Sequence, residues 1–260
     1  MMAPDLNLPF ASWERILTSG TLVMVRLGGV IAFAPPFNSP AIPVRVKAAL
    51  LLAMTLLLAP VAAGLQGARV MFDSSAVIGE TAVGLLFGFS LMLLNEALLF
   101  AGILLSMSFS FSLANLLDPN SRVDTPVIGI LMNWVGLLIV IGAGLDRVVL
   151  AAVMRSLAVV PLGTAVLQMG AVRQCMGMVG GVFLAGLQLA APVMAAAIAV
   201  EVTVALVSRF APALPAQVVS VPLKTILSYT VLIGAMAVWP AWVERYFSAL
   251  LDAAQRMVAG

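Results

Sequence analysis

Histidine is absent from this chain, cysteine occurs once, and charge is scarce. Each shortage closes a class of chemistry. Without histidine the commonest general base and the commonest metal ligand are gone. A lone Cys175 allows no internal disulfide and no cysteine-cluster metal site, and it stands in an apolar run where it reads as packing. No Walker-type phosphate loop, no HExxH and no Ser/His pair occurs. No catalytic constellation emerges, so the chain reads as a non-enzyme with no cofactor and no metal. The 13 basic and 11 acidic side chains leave a net charge of +2, and Arg45 with Lys47 is the one close basic pair. A nucleic-acid surface needs a clustered basic patch, which is missing.

What the chain has instead is apolar length. It is 63% hydrophobic and 9% charged, with a mean hydropathy of +1.15. Soluble domains carry about 25% charge. The composition therefore specifies an integral membrane protein, and uncharged runs of about 20 residues specify helices that cross the bilayer. The opening "MMAPDLNLPFASWERIL" has Asp5 and Glu14 but no basic residue before Arg15. A cleaved signal peptide starts with positive charge, so the first apolar run is expected to stay. Runs over 13–34, 48–63, 127–145, 174–200 and 225–243, with a 44-residue zone over 74–117, predict about six spans in one domain, 1–260. The 44-residue zone is either two helices reversing near Asn95 and Glu96 or one long bent helix. "APPFNSPAIP" (34–43) and "FAPALPAQ" (210–217) are proline breaks that no helix continues through. The tail, with Glu244, Arg245, Asp252 and Arg256, predicts an amphipathic end at the membrane interface.

Seven charges interrupt the apolar runs: Arg26, Glu80, Glu96, Arg155, Glu201, Arg209 and Lys224. At a bilayer centre each costs about 2.5–3.5 kcal/mol on insertion scales, so each needs a partner or water. Their mixed signs favour ion pairs within or between subunits over a dedicated proton path. Glu201 and Arg209 share a helix face but lie too far apart along it to touch, so each needs another partner. Glycines cluster in "GLLFG" (Gly84 to Gly88), "GAG" (Gly142 to Gly144) and "GMVGG" (Gly177 to Gly181), with Gly186 further on, and such residues let membrane helices approach closely. The 15 methionines read as flexible filler.

The stretch "MSFSFSLANLLDPNSRVDTP" (107–126) stands apart. Apolar Met107, Phe109, Phe111, Leu113, Leu116 and Leu117 precede Asp118-Pro119-Asn120, a turn signal, and then Arg122 and Asp124. The apolar half can fill a narrow lumen and exclude ions by dewetting, and the Asp-Pro half can return the chain to a helix.

Several segments together resemble one family. "RLGGVIAFAPPFNSPAIPVRVKAALLLAMTLLLAP" resembles the first helix, proline-rich turn and "P-x-R-x-K" second helix of the FliR family of flagellar export-gate subunits. "IGETAVGLLFGFSLMLLNEALLFAG" resembles its "GE…G…G" segment, through Gly79, Glu80, Gly84 and Gly88. "SLANLLDP" resembles its Asp-Pro loop, and "LDRVVLAAVMRSLAVVPLG" matches through Ser156 and Pro161. Pro192, Arg209, Pro212 and "PLK" (Pro222 to Lys224) carry the carboxy-terminal half. Two departures stand out: Gly144-Leu145-Asp146 where members often have Gly-His, and Ser108 where they have glycine before the Phe. The resemblance implies a subunit of a helical hetero-oligomeric pore in the bacterial inner membrane, at the flagellar basal body. It implies bent hairpins rather than simple spans. The implied partners are FliP and FliQ in the core, FlhB around the closed entrance, FlhA as a docking ring, and unfolded export substrates. It assigns 107–124 as the loop that plugs the pore. Within the family the alternative is the injectisome subunit. Outside it, the alternatives are an ion-coupled secondary transporter using Glu80, Glu96 and Glu201 as proton sites, and a plain scaffold.

Overall fold

Among the described residues, prolines and short polar stretches punctuate the apolar runs into eight α-helices, with no strand. The computed structural model describes residues 8–35, 37–39, 42–65, 72–109, 127–165, 169–211 and 216–259. The helices are α1 (Leu8–Phe33), α2 (Val44–Leu65), α3 (Ser74–Ser108), α4 (Val127–Gly142), α5 (Leu145–Val159), α6 (Met169–Phe210), α7 (Ala216–Met236) and α8 (Trp239–Ala259). Five of them, α1, α2, α3, α6 and α7, are long and apolar enough to cross a membrane, and there are six such spans if the bent pair α4 and α5 is taken as one. The chain is an all-α, multi-pass membrane protein.

Local chemistry sets the helix ends. Pro43 starts α2: its carbonyl accepts the N–H groups of Val46 and Lys47 at 2.9 and 3.2 Å. Asp73 starts α3. Its carboxylate accepts the Ser74 N–H at 2.7 Å and the Ser75 hydroxyl at 2.9 Å. Those bonds, the Ser75 hydroxyl foremost, hold the Asp73 carboxyl below its usual pKa. Gly144, with φ 68°, breaks the chain between α4 and α5 in a conformation that favours glycine.

Two expectations are decided here. The zone after Ser74 holds no reversal at Asn95 and Glu96: α3 runs unbroken for 35 residues. No Gly or Pro occurs near that point to turn the chain, and two polar side chains alone do not end a helix. The last span, by contrast, stops at Met236 rather than Val243. Pro240 has no N–H to give the Met236 carbonyl, so the chain turns at Ala237–Val238 and restarts as α8.

The described residues group into two compact units interleaved in sequence. The first holds 1–92, 144–178 and 247–260, and the second holds 93–143 and 179–246. In the first, α1 buries Leu22, Val23, Leu27 and Val30 along one stripe, and α3 buries Phe87 and Leu91. Phe247, Leu250, Leu251, Ala254 and Met257 of α8 are buried there too. Their spacing of three and four is the amphipathy read in the tail, and it is satisfied inside the protein. In the second unit, the later half of α3 meets α4 and α6 at glycines. A Cβ on Gly102 would overlap the Gly129 Cα, and one on Gly186 would lie 2.9 Å from the Ala97 carbonyl oxygen. Phe100 and Phe183 pack edge to face at 5.2 Å beside that contact.

Candidate functional site: a buried charge cluster in the first unit

Glu80, Gly84 and Gly88 repeat every four residues on α3, so they line one face of the helix. Against that face lies α1. A Cβ on Gly84 would overlap the Arg26 carbonyl oxygen, and one on Gly88 would overlap that of Gly29. The two backbones touch, which only glycine permits. That approach brings the Arg26 side chain onto Glu80. Both side chains are fully buried.

The pair is bidentate. Arg26 Nε donates to Glu80 Oε2 at 2.5 Å, and Arg26 Nη2 donates to Glu80 Oε1 at 3.1 Å. The remaining groups are occupied by the segment that ends α5. Arg26 Nη1 donates to the Ser156 hydroxyl at 3.1 Å, and Nη2 donates to the Val160 carbonyl at 3.2 Å. The Gly163 N–H donates to Glu80 Oε1 at 2.9 Å. Ser156 donates its own proton to the Val153 carbonyl at 2.6 Å. Four of the five guanidinium donors and both carboxylate oxygens are engaged. Taking two ions out of water costs several kcal/mol each, and such closure is what makes the burial tolerable. The cluster therefore holds three chain segments in one register: α1, α3 and the turn after α5. Its geometry is that of a clamp, with both ions committed to fixed partners.

Sequence reading picked out Arg26 and Glu80 but not their partners in the chain. Ser156 and Pro161 were visible through the family pattern alone. The Val160 carbonyl and the Gly163 N–H are backbone groups and leave no side-chain signature.

The other interrupting charges are placed differently. Lys224 of α7 donates to Glu201 of α6, with the lysine mostly covered and the glutamate about half exposed. Glu96, Arg155 and Arg209 are exposed on the chain and form no ion pair among the described residues. The chain thus buries two of the seven completely, and Glu201 finds its partner on α7 rather than in Arg209. Both side chains stand on membrane-spanning helices, where an unpartnered charge costs about 2.5–3.5 kcal/mol at the bilayer centre and less near its edge, so Lys224→Met is expected to destabilise the protein by about 1–3 kcal/mol. Denaturant midpoints would show it, and an unchanged midpoint would contradict this placement.

Of the stretch 107–126, the structure describes Met107, Ser108 and Phe109. Met107 is exposed at the end of α3, whereas Phe109 is buried with its ring stacked on Tyr229 at 4.5 Å, inside the second unit. Phe111, Leu113, Leu116, Leu117, Asp118 and Pro119 lie outside the described residues. The glycines divide as well. Gly84, Gly88 and Gly186 sit at close approaches, while Gly142, Gly177, Gly180 and Gly181 face open space.

The profile described as bacterial export proteins, family 1, matches residues 17–250. A flagellar biosynthetic protein FliR of Caulobacter vibrioides is 29% identical over 229 residues, covering 86% of this chain and 91% of that protein. The FliR proteins of Bacillus subtilis and Escherichia coli are 26% and 23% identical, covering 69% and 88% of this chain and 71% and 88% of their own lengths. The profile match takes in α2 to α7 whole, most of α1 and the first half of α8, with the whole of the Arg26–Glu80 cluster inside it. The chain belongs to the bacterial export proteins, family 1.

Proposed function

We propose that this chain is a subunit of the flagellar type III export gate. In this reading it sits in the bacterial inner membrane at the basal body. It assembles with FliP and FliQ into a hetero-oligomeric core, is contacted by FlhB and FlhA, and forms and seals the entry pore for unfolded flagellar substrates. One observation carries the reading beyond family membership. Helix α6 has 42 residues, or about 63 Å at 1.5 Å per residue, against a hydrocarbon layer of about 30 Å. To fit that layer as a straight rod it would need a tilt of about 60°, where membrane helices tilt by about 20° on average, and a bend at Pro192 would shorten its span only in part. Yet exposed apolar side chains recur from one end to the other, from Met169 and Met176 through Leu184 and Ile198 to Leu206 and Phe210. Lipid covers about half of such a flank, and neighbouring protein must cover the rest. The exposed Glu96 and Arg209 ask for the same neighbours.

Glu80 does not suit a proton-coupled carrier. It is fully buried and accepts three hydrogen bonds, so no water reaches it. The conducting path is passive, with export energised elsewhere in the apparatus, and the apolar part of 107–124 is its seal.

The test co-expresses the chain with FliP and FliQ. A partner-dependent complex on blue-native gels is the expected result, and a chain that migrates alone in every combination would sink the gate reading. Deleting 111–117, which leaves the packed Phe109 in place, is expected to raise ion leakage through the reconstituted complex without loss of assembly. Unchanged conductance in an assembled complex would remove the plug from the proposal.

A further inference from the structure

Three arginines converge on one groove of the first unit. On α5, Arg147, Ala151 and Arg155 follow at intervals of four and form a single stripe. Facing them, α8 brings Asp252, Gln255 and Arg256. The groove comprises two adjoining cavities of about 310 and 330 Å³ that share Arg155, Asp252 and Gln255. Phe87, Val159 and Val258 give it an apolar wall. Among the described residues none of the three arginines, and not Asp252, forms an ion pair. In a chain with 13 basic residues, three guanidiniums against one carboxylate leave an excess of two positive charges in one place.

We propose that this groove holds the phosphate headgroup of an anionic phospholipid taken from the surrounding bilayer. The guanidinium fork matches phosphate oxygens in geometry and charge. Basic pockets between membrane helices accept such headgroups. The apolar wall selects an amphiphile over a free anion. Val148, Met154 and Val159 are exposed beside the arginines, so an acyl chain leaving the groove runs onto apolar surface. Arg155 then has its counter-charge in the lipid. Asp252 opposes the headgroup and sets an upper limit on its affinity. This inference stands apart from the export reading.

The test is native mass spectrometry of the full chain from micelles doped with dioleoylphosphatidylglycerol or dioleoylphosphatidylcholine. The chain is expected to retain the phosphatidylglycerol preferentially, and millimolar inorganic phosphate is expected not to displace it. Arg155→Gln with Arg256→Gln should weaken that retention roughly thirtyfold, from the loss of two arginine–phosphate attractions. Asp252→Asn should strengthen it by about fivefold, a gain that misfolding cannot mimic. Equal retention of the two lipids overturns the proposal, and it is the result expected if an acidic protein segment is the true occupant. Displacement by inorganic phosphate overturns it too, as does an Asp252→Asn chain with no gain.

Discussion

Glu80→Gln is expected to destabilise the protein by about 3–5 kcal/mol, the loss that follows when one partner of a buried ion pair is removed. Arg26 then remains charged and fully buried beside a neutral amide, while its bonds to Ser156 and Val160 hold it in place. The cost is thus an uncompensated charge that the surrounding clamp prevents from relaxing. Arg26→Met should cost a similar amount, since it strands the carboxylate. The double change Arg26→Met with Glu80→Met should recover most of the loss, because apolar residues of similar volume commonly replace a buried pair without penalty. Denaturant titration followed by tryptophan fluorescence reads all three. A double variant that loses the sum of the two single losses would show that the pair is not the unit of stability. If the chain assembles as proposed, loss of register at α1, α3 and the turn after α5 should also lower the yield of that complex in each single variant.

Gly84→Ala is the second large effect. The added Cβ would overlap the Arg26 carbonyl oxygen and meet the Arg26 Cα at 3.2 Å. Those are backbone atoms, so no side-chain rotation relieves the clash and α1 must move away from α3. Overpacking of this kind costs about 1–3 kcal/mol. The displacement also lengthens the Arg26–Glu80 bonds, so the two effects couple and should not add in a Gly84→Ala, Glu80→Gln combination. Gly28→Ala supplies the control. It lies on α1, and a Cβ there meets nothing within 4 Å. Alanine is the better helix former, so this change should be neutral or stabilising by up to about 1 kcal/mol. If Gly84→Ala and Gly28→Ala behave alike, the close approach is not what holds these helices together.

Composition made the membrane class and most of the helices legible, because hydrophobic length is a local property of the chain. Proline breaks were legible for the same reason. Pairing was not. Arg26 and Glu80 are 54 residues apart, and nothing local to either names the other. Glu201 and Lys224 are a milder case. They stand nearly equidistant from the Pro212–Pro215 break, so folding the sequence back on that break sets them side by side. For the glycines, "GLLFG" and "GMVGG" look equivalent as strings. The difference is that the first shares its four-residue period with Glu80, whose partner draws a second backbone in.

The length of α6 bears on the life of the chain in the cell. In the export-gate reading, a newly inserted copy carries an apolar flank that the bilayer covers only in part, and it would stay in that condition until another subunit arrives. Membrane quality control degrades polypeptides in that state. On that reading the half-life of the chain would be a gauge of partner supply, and a surplus copy would be cleared instead of accumulating unassembled in the membrane.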